Sequence, residues 1–494
     1  MGLALLVYLG LLGYRLGERE FWLDEQITVG HLGEGHIAFD AFHPPGYYAW
    51  LQIWSGLFGD SDAALRAFSV LCALLAALAV WLLARELLPH PHDLLALWLF
   101  VLSPVGLLYF RMARYYALTA AVALFAAWAV VLAKRHGRPG YVLLALMALH
   151  LMWVDFLPLL LLVVAYLWLL PTAWRRGKER YWWLASAAVP LAAAAWQMRG
   201  MLHKVGLVSS IPAAHPGLKQ IALMLALPFY SATVGETTEP WRFAVVLPVL
   251  LAGLVLAGVG LVAAVRRKDA YRWLLVLAWP LAVGLAAAIL STVGAADPWP
   301  RVTSLCLYAL PFFLGWIVLG VKTLPRWGWV LLGVVVAGQL YGDTNYLARR
   351  QFINPGYNLP WREINALVQS QGHAGDLALA YYDGTGKRYW SGVVPFVDYA
   401  EPKLPPDLPA VAAFPAGHDL WVIDRDRGAS LPRDLTARLV AELQGKARGV
   451  EVARLMPYSA EERRWRSRLE GHEIPEAAVT VWRFRGGPSP TPAS

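Results

Sequence analysis

Residues 63–88 read AALRAFSVLCALLAALAVWLLARELL, with charge only near the ends, at Arg66, Arg85 and Glu86. A helix over this run is about 39 Å long at a rise of about 1.5 Å per residue, enough to cross a hydrocarbon core of roughly 30 Å. Similar apolar runs flank it. One lies upstream, near 2–17. Nine follow, near 93–110, 113–133, 139–154, 156–173, 181–198, 242–265, 273–291, 302–320 and 327–344. The pattern predicts an α-helical polytopic membrane protein of about eleven spans.

The composition agrees. Of 494 residues, 58% are hydrophobic and 16% charged, against about half and one quarter in soluble domains. This excludes a disordered chain, a disulfide scaffold and an ordinary soluble enzyme. The 24 Trp and 21 Tyr suit membrane–water interfaces. Cys72 and Cys306 sit far apart in apolar runs and read as small buried hydrophobes. The net charge of +9 comes as short clusters between apolar segments, not as one patch, so nucleic acid is not an expected partner.

Those clusters set an expected topology. Lys134-Arg135-Arg138, Arg175-Arg176-Lys178-Arg180, Arg266-Arg267-Lys268-Arg272 and Lys322-Arg326 fall in alternate loops, on one side with Arg85. The other short loops hold only Arg111, Arg114 and Arg301. The positive-inside rule makes the first side cytoplasmic, with the N-terminus inside and the C-terminal region outside, in a bacterial cytoplasmic membrane. Acids show the reverse bias. Eight lie within 18–62, and Asp155, Glu236, Glu239, Asp297 and Asp343 also fall outside. Carboxylates set topology weakly, so an outer site using them is a reason for the bias. The first span is short, about 24 Å at 16 residues, and reads as a short helix or as a chain whose start lies earlier.

The expected domains are 1–344, a membrane domain with outer loops 18–62 and 199–241, then 345–485, an extracytoplasmic α/β domain, and a disordered tail, 486–494. In the outer domain, 375–382, 418–424 and 479–484 read as strands, and 360–371 and 432–445 as helices.

Several constellations could carry chemistry. Phe21-Trp22-Leu23-Asp24-Glu25 puts two carboxylates behind aromatics; a solvated loop edge is the plainer reading. His43-Pro44-Pro45-Gly46-Tyr47-Tyr48 has prolines that force a turn, and a rigid corner is its plainer reading. Tyr109-Phe110-Arg111-Met112-Ala113-Arg114-Tyr115-Tyr116 sets two arginines three apart at a helix start, against the positive-inside bias. Paired guanidiniums there suit a phosphate; snorkelling to lipid headgroups is an equal alternative. Asp155, and Asp297 with Arg301, lie in short outer turns and read as structural or as site residues.

The order of these motifs, W-x-D-E, H-P-P-x-Y-Y, then S-P…R-x-x-R-Y-Y-A-L, resembles the GT-C superfamily of integral-membrane glycosyltransferases. It is closest to the branch with protein O-mannosyltransferases and bacterial lipid A aminoarabinose or galacturonate transferases. The resemblance is clear over about 20–200 and at the level of topology to about 344. It implies a polyprenyl-phosphate monosaccharide donor, a lipid, glycan or protein acceptor with an attacking hydroxyl, and membrane lipids around the spans. Asp24 matches the acidic position that engages the acceptor and Glu25 its neighbour, so Asp24 is assigned the base and Glu25 its orientation or acceptor binding. Arg111 and Arg114, with Arg301, Lys204 and Arg242 behind them, are assigned the donor phosphate. His43, Tyr47, Tyr115, Asp155 and Asp297 are assigned the sugar and acceptor pocket. A single displacement inverts the anomeric carbon. No cofactor is required; outer carboxylates could hold a divalent metal, though no spacing demands one. The competing readings are an oligosaccharide ligase or polymerase with a diphosphate-linked donor, a lipid-linked-sugar transporter, and an inactive assembly subunit.

Overall fold

Pro104 decides how the bundle departs from the expected spans. It lacks an amide hydrogen and clashes with the preceding turn, so the run near 93–110 is two helices, α5 (His92–Val101) and α6 (Pro104–Tyr109). The computed structural model describes residues 1–34, 44–155, 157–208, 217–269, 271–293, 299–381, 384–399, 417–425, 439–441, 443–444, 449–470 and 473–485. The remaining helices before residue 348 are α1 (Gly2–Gly13), α2 (Leu23–Gly30), α3 (Gly46–Phe58), α4 (Asp62–Leu87), α7 (Tyr116–His136), α8 (Arg138–Val154), α9 (Leu157–Arg175), α10 (Glu179–Val208), α11 (Leu218–Thr233), α12 (Phe243–Arg266), α13 (Arg272–Val293), α14 (Trp299–Cys306), α15 (Leu310–Thr323) and α16 (Trp327–Leu347).

Six helical stretches among the described residues are long and apolar enough to cross a membrane: 62–87, 116–136, 157–175, 243–266, 272–291 and 302–323. Each coincides with an expected span. Of the other five, α1 has 12 residues and α8 has 17, and 93–110 is split at Pro104. The count of eleven is therefore not reached by this measure. The protein is nonetheless a multi-pass membrane protein. Leu160, Val163, Val164 and Leu167 stand exposed on α9, as a lipid-facing stripe requires. The expected outer loops contain helices, α3 in one and α11 in the other, and α10 runs past its expected end near 198.

The chain divides into two compact units, 1–17 with 28–353, and 18–27 with 354–494. In the first, α12 packs on α15 with backbone nearly touching. A Cβ on Gly260 would overlap the Trp316 carbonyl, and one on Gly320 the Leu256 carbonyl.

The second unit holds a five-stranded sheet, ordered β2-β1-β3-β5-β4, from β1 (Leu377–Tyr381), β2 (Phe396–Tyr399), β3 (Asp419–Arg425), β4 (Gly449–Pro457) and β5 (Ala477–Arg485). The β1 strand runs parallel to β2 and β3, while β5 is antiparallel to β3 and β4. Alternation sorts the core onto two faces. Ala378, Ala380, Trp421 and Ile423 join Ile364 and Val368 of α17 (Trp361–Gln371) on one face; Leu379, Leu420 and Val422 join Phe484 on the other. The three expected strands are β1, β3 and β5. The helix expected near 432–445 and the tail 486–494 lie mostly or wholly outside the described residues.

Candidate active site

The loop 110–115 follows from its neighbours. Helix α6 ends at Tyr109, α7 starts at Tyr116, and a tight turn with Arg114 N donating to the Met112 carbonyl (2.7 Å) joins them. It carries two buried guanidiniums, each 4% exposed. Arg111 Nη2 donates to the Tyr14 carbonyl (2.5 Å), and its guanidinium lies 5.2 Å from the Tyr346 ring centre. Among the described residues its Nε has no hydrogen-bond partner. Arg114 Nη1 donates to the Thr28 hydroxyl (2.8 Å), beneath the rings of Tyr115 and Tyr116. Among the described residues, the partners of Arg111 are thus a carbonyl and a ring, with no carboxylate. A buried guanidinium held in this way favours an anionic ligand.

Beside the loop lies a polar cluster that the sequence does not announce. Tyr109 donates to Glu236 Oε2 (2.8 Å), and Ser231 donates to Glu236 Oε1 (3.0 Å) while lying 3.2 Å from Thr303. Glu236 is 2% exposed; burial pushes its carboxyl up to about 7, although the Tyr109, Ser231 and Thr303 hydroxyls favour the charged form. The segment reaches this position because Gly235, at φ +94°, passes Pro104 so closely that a Cβ would lie 2.6 Å from the proline ring. In the sequence, V-G-E-T-T-E looks like an ordinary polar turn.

Asp155 ends α8 and accepts from the Leu157 amide (3.0 Å). Burial raises its carboxyl to about 6, opposed by that amide and by the Thr119 hydroxyl, which is close but outside strict hydrogen-bond geometry. Tyr308 lies within electrostatic reach of Asp155 and also lines a cavity of about 330 Å³. The cavity wall is almost wholly apolar, with Ala123 and Val130 of α7, Leu162 and Trp168 of α9, and Leu277 and Leu281 of α13 among its lining. It begins about 10 Å along α7 from the arginine loop. Tyr47 packs on Phe68, with its hydroxyl 3.3 Å from that of Ser69, at the start of α3. Gly46 there abuts the Trp153 carbonyl, which brings the proline motif beside the end of α8. Tyr115 is buried against Tyr116. Arg242 donates to Glu239 (2.9 Å) at the start of α12.

In the second unit, Asp24 and Glu25 occupy the first turn of α2, which suits the positive end of the helix dipole. Glu25 Oε2 accepts from the Trp22 amide (3.3 Å), as a third-position acid does when it caps its own helix. His43 and Asp297 lie outside the described residues, and Lys204 and Arg301 are placed only as members of α10 and α14. No three His, Cys, Asp or Glu side chains gather as a metal site among the described residues.

Residues 42–197 match the dolichyl-phosphate-mannose-protein mannosyltransferase family. No protein of curated function matches the chain. Among solved structures, the chain is similar to an oligosaccharyltransferase from Archaeoglobus fulgidus tethered to an acceptor peptide, at 12% identity and a TM-score of 0.50, over 93% of this chain and 73% of that one. It is also similar to ArnT from Cupriavidus metallidurans bound to undecaprenyl phosphate, at 13% identity and 0.45 over 99% of both chains. A third is the mycobacterial arabinofuranosyltransferase AftD, at 15% identity and 0.46 over 99% of this chain and 42% of that one. The family model thus matches about a third of the chain, and the fold of the chain is similar to that of the oligosaccharyltransferase.

Proposed function

We propose that the protein is an inverting glycosyltransferase that moves a monosaccharide from a polyprenyl-phosphate donor to a hydroxyl of a lipid, glycan or protein acceptor, on the outer side of a bacterial cytoplasmic membrane. The acceptor oxygen bonds to the anomeric carbon as the bond to the phosphate oxygen breaks. Asp24 takes the acceptor's proton, and polyprenyl phosphate leaves with the electron pair. Glu25 orients that carboxylate by capping the helix that carries it. Arg111 and Arg114 meet the charge growing on the departing phosphate. Thr28, which accepts from Arg114, follows Asp24 by four residues in the sequence. Arg301, Lys204 and Arg242 are secondary phosphate candidates; His43, Tyr47, Tyr115, Asp155 and Asp297 shape the sugar and acceptor pocket.

One observation carries the reading: the Arg111 guanidinium is buried with a carbonyl and a ring as its contacts among the described residues, a setting that favours an anionic ligand. The apolar cavity nearby supports a lipid-linked anion over a soluble one. The test is incubation of purified protein with a panel of undecaprenyl-phosphate monosaccharides, reading release of undecaprenyl phosphate. Release by wild type, lost roughly 10²-fold or more in Asp24→Asn, supports the reading. Full release by Asp24→Asn overturns the base assignment. Externally added protease that cuts the 175–180 loop and spares residues beyond 345 overturns the orientation.

A further inference from the structure

We propose that the C-terminal unit holds the Asp24-Glu25 segment in place through Arg362 and Tyr389, which act as positioning residues for glycosyl transfer. This rests on the reading of Asp24 as the base. Residues 18–27 fold with 354–494 as one unit, although more than three hundred residues separate them in the chain. The contacts are directed, and two of them are made to the backbone of the segment. Arg362 Nη1 donates to the Glu18 carbonyl (3.0 Å), and the Arg362 amide donates to Glu20 Oε1 (3.3 Å), with the guanidinium 3.8 Å from the same carboxylate. The Phe21 amide donates to the Tyr389 hydroxyl (2.7 Å). Arg388 lies 4.9 Å above the Phe21 ring, and Trp22 meets Tyr357 edge-on at 4.8 Å. Arg362 in turn stacks over Tyr389 at 4.7 Å, so the two holders brace each other.

Each residue from Glu18 to Trp22 except Arg19 is thereby tied to the C-terminal unit by a named contact. At Trp22 the tie passes into α2, because Glu25 caps the Trp22 amide. Asp24 lies two residues beyond. A displacement of about 1 Å in a reacting group can cost roughly 10²-fold in rate, so a backbone tie this close to the base bears on turnover more than on donor binding. Packing alone does not explain these contacts. The Tyr389 ring packs against the sheet core, while its hydroxyl is spent on the Phe21 amide. Tyr389→Phe therefore removes the tie and leaves the core.

The experiment compares full-length wild type, Tyr389→Phe, Arg362→Met, Arg362→Lys and Asp24→Asn in nanodiscs, with turnover normalised to monodisperse protein. Two readouts are taken. In amide hydrogen exchange, the peptide over 18–25 should exchange roughly fivefold faster in Tyr389→Phe and Arg362→Met, with peptides of β1, β3 and β5 unchanged. With the undecaprenyl-phosphate monosaccharide that turns over, kcat should fall roughly fivefold to tenfold at unchanged donor KM, and Arg362→Lys should recover part of the Arg362→Met loss. Unchanged exchange over 18–25 overturns the proposal by itself, whatever the activity. Faster exchange with unchanged kcat overturns the link to catalysis if Asp24→Asn is inactive. Full activity in Asp24→Asn marks instead the failure of the base assignment on which the proposal rests.

Discussion

Arg111 in the bundle and Arg483 in the sheet are both stacked on aromatic rings, and they differ in what answers their charge. Arg483 lies opposite Trp421 in the β3–β5 register and stacks on it at 5.1 Å, while its Nε donates to the Asp419 carboxylate (2.6 Å) and its Nη2 pairs with the same group. Asp419 is the diagonal cross-strand neighbour, the usual place for such a pair. Arg111 is more deeply buried and has a carbonyl and the Tyr346 ring instead. A structural arginine is neutralised by its own fold. An arginine left with uncharged partners in a low-dielectric site represents an energetic cost that an incoming anion relieves. On the proposed reading, this difference marks Arg483 as structural and Arg111 as awaiting an anion.

The largest test of that contrast is Arg111→Ala. It should lower turnover of the undecaprenyl-phosphate sugar by roughly 10²- to 10³-fold, about 3–4 kcal/mol, because a donor aimed at developing charge is lost. The bundle should fold as before, since an isolated buried charge has been removed. A variant that unfolds while its activity per folded molecule is intact would make Arg111 a second Arg483.

Glu236 offers the same contrast with the sign reversed: an acid buried among hydroxyls, with no cation bonded to its carboxylate among the described residues. Burial holds its carboxyl near 7, against 4.5 for an exposed one. The native state therefore binds this proton more tightly than the unfolded chain does. No penalty exists below about 4.5; stability falls as pH rises from there to about 7, then levels off. The full penalty is up to about 3 kcal/mol. Glu236→Gln should flatten this dependence, raising the midpoint of thermal unfolding at pH 8 relative to wild type and leaving it nearly unchanged at pH 4. Equal pH profiles would show that Glu236 has a counter-charge after all.

The reach of sequence reading follows the same division between local and long-range causes. Six spans and three strands are local patterns of apolar period, and they are found where those patterns lie. The break at Pro104 is also local and was legible in principle. Arg111 and Arg114 are legible as cations against the loop bias, a statistical property of the whole chain. Glu236 did not, because its burial depends on Gly235 passing Pro104, a contact between segments far apart in sequence. Nor could the tie from Tyr389 to Phe21 be read, since nothing local marks a tyrosine hydroxyl as the partner of an amide 368 residues away. Asp24 and Glu25 are legible as adjacent acids, but the capping of the Trp22 amide by Glu25, just before α2 begins, is visible only in the structure.

Within the sheet the contrast predicts smaller effects, graded by exposure. Asp419→Asn should cost about 1–3 kcal/mol, because the carboxylate is largely buried and its loss leaves the Arg483 guanidinium without its counter-charge.

Arg454 forms a superficially richer set, bonded by Glu451 at 3.0 Å and paired with Glu476. Yet its side chain is 46% exposed and that of Glu476 51% exposed. Water solvates both charges well in the unfolded chain and in the folded one, and fixing two long side chains costs rotamer entropy. The net gain is then about 0.5 kcal/mol or less, and smaller still at high salt. Glu476→Gln should therefore shift the unfolding midpoint of the full chain by no more than about 2 °C at low salt and by nothing measurable in 0.5 M salt. A loss matching that of Asp419→Asn would mean that the number of charged contacts, not their burial, governs the arginines of this sheet. Burial would then no longer favour an anion at Arg111.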